Sequence, residues 1–196
     1  MTTTPPRTAP HDLAGLVRLC HHRWLVPVLG EIGAAGGARF AVLVARLGIS
    51  PPSLRRTLAA AEAAGLVMPN PGYGHPLRPE YLLTPWGEGV AGPCRDVVAA
   101  ARSLALLEPV LNKWSLPVLA AVAAGAERYA DIARALPDAS PRALAKALAD
   151  LVEADCLRRE VLDTRPPRPA YGVGRTAAGL AAATGVLAEA AAPFGA

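Results

Sequence analysis

The side chains of this sequence best suited to chemistry are polar and basic residues that follow two Ser-Pro dipeptides. Serine caps the first turn of a helix and proline is tolerated at its first position, so each dipeptide predicts a helix start. Arginine and lysine donate hydrogen bonds to phosphate oxygens and to the edges of bases. The dipeptides are Ser50-Pro51 and Ser140-Pro141, and the residues of interest after them are Ser53, Arg55, Arg56, Arg142 and Lys146.

Leucine spacing indicates which way these residues face. On a helix with 3.6 residues per turn, a residue two positions from a buried leucine points roughly away from the core. This places Arg142 and Lys146 on the outward face of one helix and Arg56, flanked by Ser53 and Arg55, on that of the other. A basic outward face is what contact with a nucleic acid requires, although many exposed arginines are simply solvated. The leucines that define the inner faces are Leu54, Leu58, Leu144 and Leu148.

An internal repeat relates the two helices. The segment RWLVPVL at 23–29 corresponds to KWSLPVL at 113–119, and RPEY at 78–81 corresponds to RPAY at 168–171, at an offset of 90 residues. A fixed period of this kind indicates a duplicated structural unit. Each copy predicts a helix that begins near its tryptophan with proline in the first turn, then two further helices, then a two-stranded hairpin. This is the winged helix-turn-helix arrangement.

The order of the motifs resembles the HxlR family of bacterial transcription regulators, whose pattern is KW…RF-x-EL…IS…L…GL…Y-x-LT-x-x-G. The first copy holds the pattern well, including YLLTPWG, whereas the second has YGVGRTAAG in its last part. Members of the family carry one such domain and dimerise through terminal helices. The resemblance therefore implies a mainly α protein with small β-hairpin wings, in which tandem winged helix-turn-helix domains form an intramolecular pseudo-dimer.

The domain organisation that follows has four parts. A disordered leader of residues 1–11 precedes a first winged-helix domain at 12–92. A linking helix at 93–107 leads to a second winged-helix domain with a C-terminal helix at 108–196.

The resemblance implies a transcription regulator, a repressor, that binds double-stranded DNA. Two fused and only partly alike lobes predict an imperfect inverted repeat as the operator, read by a monomeric pseudo-dimer or a homodimer. The wings are expected to contact the phosphates of the DNA backbone through three arginines, Arg78, Arg165 and Arg168. The alternative for these proline-rich loops is plain solvation.

A small-molecule binding protein on the same scaffold is the competing interpretation. Trp24, Trp86 and Trp114 could line an apolar pocket between the lobes that takes a small apolar or aromatic effector, which would also make the regulator ligand-responsive. Core packing is the simpler role for Trp24 and Trp114. The charge favours neither interpretation strongly, because residues 1–92 carry a net charge of +3 and residues 93–196 carry +1.

Several classes of function find no support. The sequence has no nucleophile, phosphate-binding or dinucleotide-binding motif, so an enzyme and a cofactor are not expected. The adjacent residues of Cys20-His21-His22 point to different faces and predict no metal site. Family members that sense oxidants use a cysteine about a dozen residues before the Lys-Trp pair, where this chain has Pro10 and His11. Thiol sensing is therefore not expected, and Cys20, Cys94 and Cys156 read as core residues of a cytoplasmic protein without a membrane span.

Overall fold

The computed structural model describes residues 13–72, 79–163 and 168–195, so the expected leader at 1–11 lies outside the described residues. Most of the described chain is helical, as the alanine- and leucine-rich composition predicts. The helices are α1 (Ala14–Cys20), α2 (Leu25–Ala35), α3 (Phe40–Leu47), α4 (Pro51–Ala63), α5 (Pro85–Ser103), α6 (Leu107–Val110), α7 (Ser115–Ala123), α8 (Tyr129–Ala135), α9 (Pro141–Glu153) and α10 (Ala178–Ala191), followed by a short 3-10 helix (Ala192–Phe194).

Two small antiparallel sheets accompany the helices. Their strands are β1 (Ala38–Arg39), β2 (Val67–Pro69), β3 (Glu80–Leu83), β4 (Leu157–Leu162) and β5 (Arg168–Val173). The first sheet has the order β1-β3-β2 and the second pairs β4 with β5. The mainly α class with small β-hairpins is thus confirmed. The sequence did not predict β1, which sets Ala38 opposite Tyr81.

The Ser-Pro dipeptides start helices as predicted. α4 and α9 are both thirteen residues long, with proline at the first position. The Ser50 hydroxyl accepts a hydrogen bond from the Ser53 backbone N–H at 3.4 Å, and the Ser140 hydroxyl accepts one from the Ala143 N–H at 3.2 Å. Each cap satisfies one of the free N–H groups that a helix start leaves. The four leucines of the predicted inner faces are all buried.

The Trp-x-x-Pro segments also adopt matching conformations. α2 and α7 begin directly after Trp24 and Trp114, so that Pro27 and Pro117 lie in the first turn. Each tryptophan carbonyl accepts a hydrogen bond at 3.0 Å from the N–H of the residue four positions later. Proline is tolerated there because the first turn has no intrahelical acceptor for its N–H groups.

Two elements differ from the sequence prediction. The helix expected at 93–107 spans Pro85–Ser103, because the Thr84 hydroxyl accepts a hydrogen bond from the Gly87 N–H at 3.2 Å and Pro85 occupies the first position. It ends before Ala105, whose φ of 55° breaks the helix. The second wing, whose motif is incomplete in the sequence, has the longer strands: β5 pairs with β4 from Arg168 to Val173.

The core runs through both halves of the described chain. α5 packs against α2 and against α10, and α1 packs against α10 and the 3-10 helix. Glycines allow the closest approaches: a Cβ added at Gly30 would lie 3.0 Å from the Arg95 backbone nitrogen. The carbonyl oxygen of Ala191 stands where a Cβ at Gly15 would go. The Gly30 contact joins α2 to α5, and the Gly15 contact joins α1 of the first repeat to α10 of the second.

Candidate nucleic-acid interface

The basic residues on the outward faces of α4 and α9 differ in whether they interact with other residues of the protein. Arg56 and Arg142 are exposed, as the leucine spacing predicts. Within the described ranges neither side chain takes part in a hydrogen bond or an ion pair. Arg142 is the second residue of α9, so its guanidinium projects from the first turn of that helix. Both arginines are therefore available to an external anion.

Lys146 and Ser53 are partly occupied. The Lys146 ammonium forms an ion pair with the Asp150 carboxylate at 2.8 Å, one turn further along α9. The Ser53 hydroxyl accepts a hydrogen bond from the Ser50 hydroxyl at 2.9 Å, so it belongs to the cap of α4. A surface ion pair of this kind contributes about 0–1 kcal/mol, so a phosphate could displace Asp150 from Lys146 at little cost.

Arg55 turns toward the protein. Its guanidinium lies over the ring of Phe40, 5.4 Å from the ring centroid, in a cation–π contact between α4 and α3. In the second wing, Arg168 is exposed at the start of β5, opposite Leu162. Arg78 and Arg165 lie outside the described residues, so their role remains a prediction.

The three tryptophans occupy separate environments. Trp24 and Trp114 are half-buried, with Arg23 and Lys113 over their rings at 5.8 and 4.9 Å. Trp86 is 58% exposed, and its ring meets that of Phe194 edge-on with centroids 5.6 Å apart. An inter-lobe ligand pocket lined by all three stays a prediction. An open cleft of about 400 Å³ lies elsewhere, between α8, α9 and the second hairpin.

Among the residues that the structure describes, no cluster of three or more His, Cys, Asp or Glu side chains could hold a metal ion. The His21 and His22 rings meet edge-on with centroids 5.2 Å apart. The positive charge of Lys113 and partial burial lower the pKa of His21, which also receives a smaller lowering from His22. None of the described helices is long and apolar enough to cross a membrane.

The three cysteines are buried and free. Burial raises the pKa of the Cys20 thiol to about 12, and it raises the pKa of Cys94 and of Cys156 as well. Because the thiolate is the reactive form, these thiols are poor nucleophiles at neutral pH.

We expect a thiol-specific alkylating reagent at pH 7 to modify the native protein at least about 100-fold more slowly than the protein in denaturant. Mass spectrometry of the labelled chain measures both rates. If the protein binds DNA, that binding should survive the treatment. A rapid loss of binding that the variant Cys20→Ser prevents would show that Cys20 is a sensor after all.

Sequence reasoning missed three interactions at this surface. The spacing of Lys146 and Asp150, four residues apart on one helix, could have revealed their ion pair. The contact of Arg55 with Phe40 joins two helices and carries no comparable signal. In the second wing, the Arg158 guanidinium forms an ion pair with Glu160 at 3.2 Å.

Comparison with known proteins identifies part of the chain. No curated protein and no solved structure matches it. The model of the HxlR-like helix-turn-helix family matches residues 110–194. The match contains α7, α8, α9, the second hairpin and α10, whereas the first copy, with the fuller set of motifs, lies outside it. The second half of the chain is thus similar to the HxlR-like helix-turn-helix family.

Proposed function

We propose that this protein is a DNA-binding transcription regulator, a repressor, in which α4 and α9 are the two recognition helices. The observation that carries the proposal is the likeness of these helices: equal length, the same serine cap, the same inner leucine face, and an exposed arginine without a partner in the described residues on each. The family match over the second helix gives it a helix-turn-helix context.

We further propose that residues 12–92 and 108–196 are two winged-helix domains that form a pseudo-dimer. Recurring backbone geometry supports this. Gly65 and Asp155, which follow α4 and α9, both have positive φ, at 68° and 53°. After each hairpin, the next N–H bonds to the residue that precedes the hairpin's first strand: Thr84 donates to the Leu66 carbonyl and Gly174 to that of Cys156, at 3.1 and 2.9 Å. The helices that follow, α5 and α10, pack on each other.

The operator should be an inverted repeat with unequal halves. The outward face of α9 presents Arg142 and Lys146, whereas that of α4 presents Pro52 and Arg56. Paired helix-turn-helix units read half-sites about 34 Å apart, one helical turn of DNA, and we expect that spacing here. A gel-shift with DNA from upstream of the protein's own gene tests the proposal. No retardation at low salt would contradict it.

The wing arginines should act through phosphate charge. Replacing Arg168 by alanine is expected to reduce the slope of log K against log salt by about 0.9 and to weaken binding alike on operator and random DNA. Fluorescence anisotropy at several salt concentrations measures both. The variant Arg165→Ala should behave in the same way. An unchanged slope for both variants would mean that the second wing is only solvated.

A small-molecule binding protein remains the second candidate function. The open cleft beside α9 favours it, together with the net charge of only +1 on residues 93–196. Tight binding of a small molecule by a protein that never retards DNA would establish this alternative.

A further inference from the structure

The cleft beside α9 has an aromatic and apolar lining. Tyr129 of α8 and Tyr171 of β5 contribute their rings, and Leu148 and Val152 of α9 contribute aliphatic surface. Glu153 and Arg159 complete the lining with one charge of each sign. With a volume of about 400 Å³, the cleft has the size of a small-molecule site.

Both tyrosines are held in place by hydrogen bonds. The Tyr129 hydroxyl donates to the Pro141 carbonyl at 3.3 Å, which ties α8 to the start of α9. The Tyr171 backbone N–H donates to the Glu127 carbonyl at 2.7 Å. Anchored tyrosine rings beside a carboxylate attract cations, because the face of an aromatic ring carries negative electrostatic potential.

The first repeat shows what fills the corresponding place. Phe40 corresponds to Tyr129 and Tyr81 to Tyr171, since each pair begins the same helix or lies in the same strand. Arg55 corresponds to Ala145, and its guanidinium lies 5.4 Å from the centroid of the Phe40 ring. The pKa of Tyr81 is raised by burial and by the charge of Glu62, and Arg55 opposes that rise. In the first repeat, then, the chain's own cation lies over the aromatic ring that corresponds to Tyr129.

The second repeat keeps the aromatic rings but lacks the arginine. Ala145 lines the cleft where Arg55 stands in the first repeat, and Val152 replaces Glu62 while the neighbouring Glu153 supplies a carboxylate. We propose that this cleft binds a small organic cation with an apolar body, such as an aryl ammonium, which takes the place of the missing guanidinium. The inference goes beyond the proposed function, since it does not require that the protein bind DNA.

Arg159 is the feature that opposes a cation. It is exposed on β4, opposite Tyr171 in the sheet. Glu153 is exposed as well, so water and salt screen both charges alike, and the faces of the two tyrosine rings favour a cation. A carboxylate ligand on Arg159 is the competing outcome, and the experiment must separate the two.

Three probes of similar size and different charge make that separation. Phenyltrimethylammonium carries the cation, tert-butylbenzene is its uncharged isostere, and benzoate carries an anion. Ligand-observed NMR on the full chain without DNA gives the affinity of each. We expect the ammonium to bind about tenfold or more tightly than the isostere. Equal binding of the ammonium and the isostere, tighter binding of benzoate, or no binding of any probe would overturn the proposal.

Amino-acid substitutions test whether the ammonium binds in this cleft. Ala145→Arg should recreate the arrangement of the first repeat and lower the affinity for the ammonium at least about tenfold, and Glu153→Gln should lower it severalfold. Ala182→Arg, the same substitution on an exposed position of α10, is the control and should bind like the parent. Circular dichroism checks folding. If Ala145→Arg does not fold, Tyr171→Leu provides the test, and undiminished binding by that variant would contradict the site.

These results are independent of the regulator proposal. Loss of cation binding with intact gel-shifts would refute only the cleft, and absent gel-shifts with intact cation binding would refute only the DNA-binding function. The cleft residues Ala145 and Val152 lie on α9, the same helix as Arg142 and Lys146. If both proposals hold, a cation bound in the cleft is therefore expected to alter DNA affinity.

Discussion

Replacing Arg142 by alanine is expected to weaken operator binding by about 10- to 100-fold, which corresponds to about 1–3 kcal/mol. Arg142 projects from the first turn of α9 and forms no hydrogen bond or ion pair with the described residues, so its removal should cost DNA contacts and none of those interactions. Arg56→Ala should have a similar effect on the other half-site. The free energy of unfolding should change by no more than about 0.5 kcal/mol in either variant.

The control for these variants is Arg102→Ala. Arg102 is exposed in the last turn of α5, so the variant loses the same charge at a place away from α4 and α9. Anisotropy titrations with operator and scrambled DNA should show a small and uniform loss for Arg102→Ala, and a sequence-dependent loss for Arg142→Ala and Arg56→Ala. If the last two bind like the parent, the outward faces of α4 and α9 are merely solvated and the regulator proposal fails.

Gly15→Ala should destabilise the protein by about 2 kcal/mol or more. The added methyl group would overlap the Ala191 carbonyl oxygen, a backbone atom that a side-chain movement cannot clear. α1 would have to shift away from α10, with the cost that overpacking usually carries. Gly179→Ala is the matched control, since a Cβ there meets open space, and it should stabilise α10 by about 0.5–1 kcal/mol.

Urea unfolding of the two variants measures the difference. The contact tested joins the first helix of one repeat to the last helix of the other, so it bears on how the repeats are held together. An unfolding midpoint of Gly15→Ala equal to that of the parent would mean that α1 does not pack against α10 as described.

Much of the fold could be predicted from local signals. Ser-Pro caps, leucine spacing and the proline in the first turn after each tryptophan are short-range features, and the helices they predict are present. The start of α5 was missed because Thr84 both follows the last strand residue of the first hairpin and caps the next helix. Its Thr-Pro pair is the same kind of start signal as Ser-Pro, but it lies within the segment read as a wing motif.

The sequence predicts which residues of the candidate interface are exposed, but not which of them already have partners within the protein. Helical periodicity is enough to place Arg56 and Arg142 on exposed faces. Whether an exposed cation is free or paired depends on its neighbours in space, although the spacing of Lys146 and Asp150 on one helix indicates their ion pair. Arg55 turns toward Phe40 because α3 and α4 meet there. The cleft in the second repeat has Ala145 in its lining, at the position that Arg55 holds in the first repeat, and recognising this correspondence requires the register of both hairpins.

The most direct test of the regulator proposal is hydroxyl-radical footprinting on the upstream DNA, combined with the mass of the complex from analytical ultracentrifugation. Two fused recognition helices predict a single chain per operator and two protected patches, about 34 Å apart, over half-sites of unequal sequence. Protection of a strict palindrome by two chains would show that each chain reads DNA with one lobe only. A complete lack of protection at low salt would contradict the DNA-binding function itself.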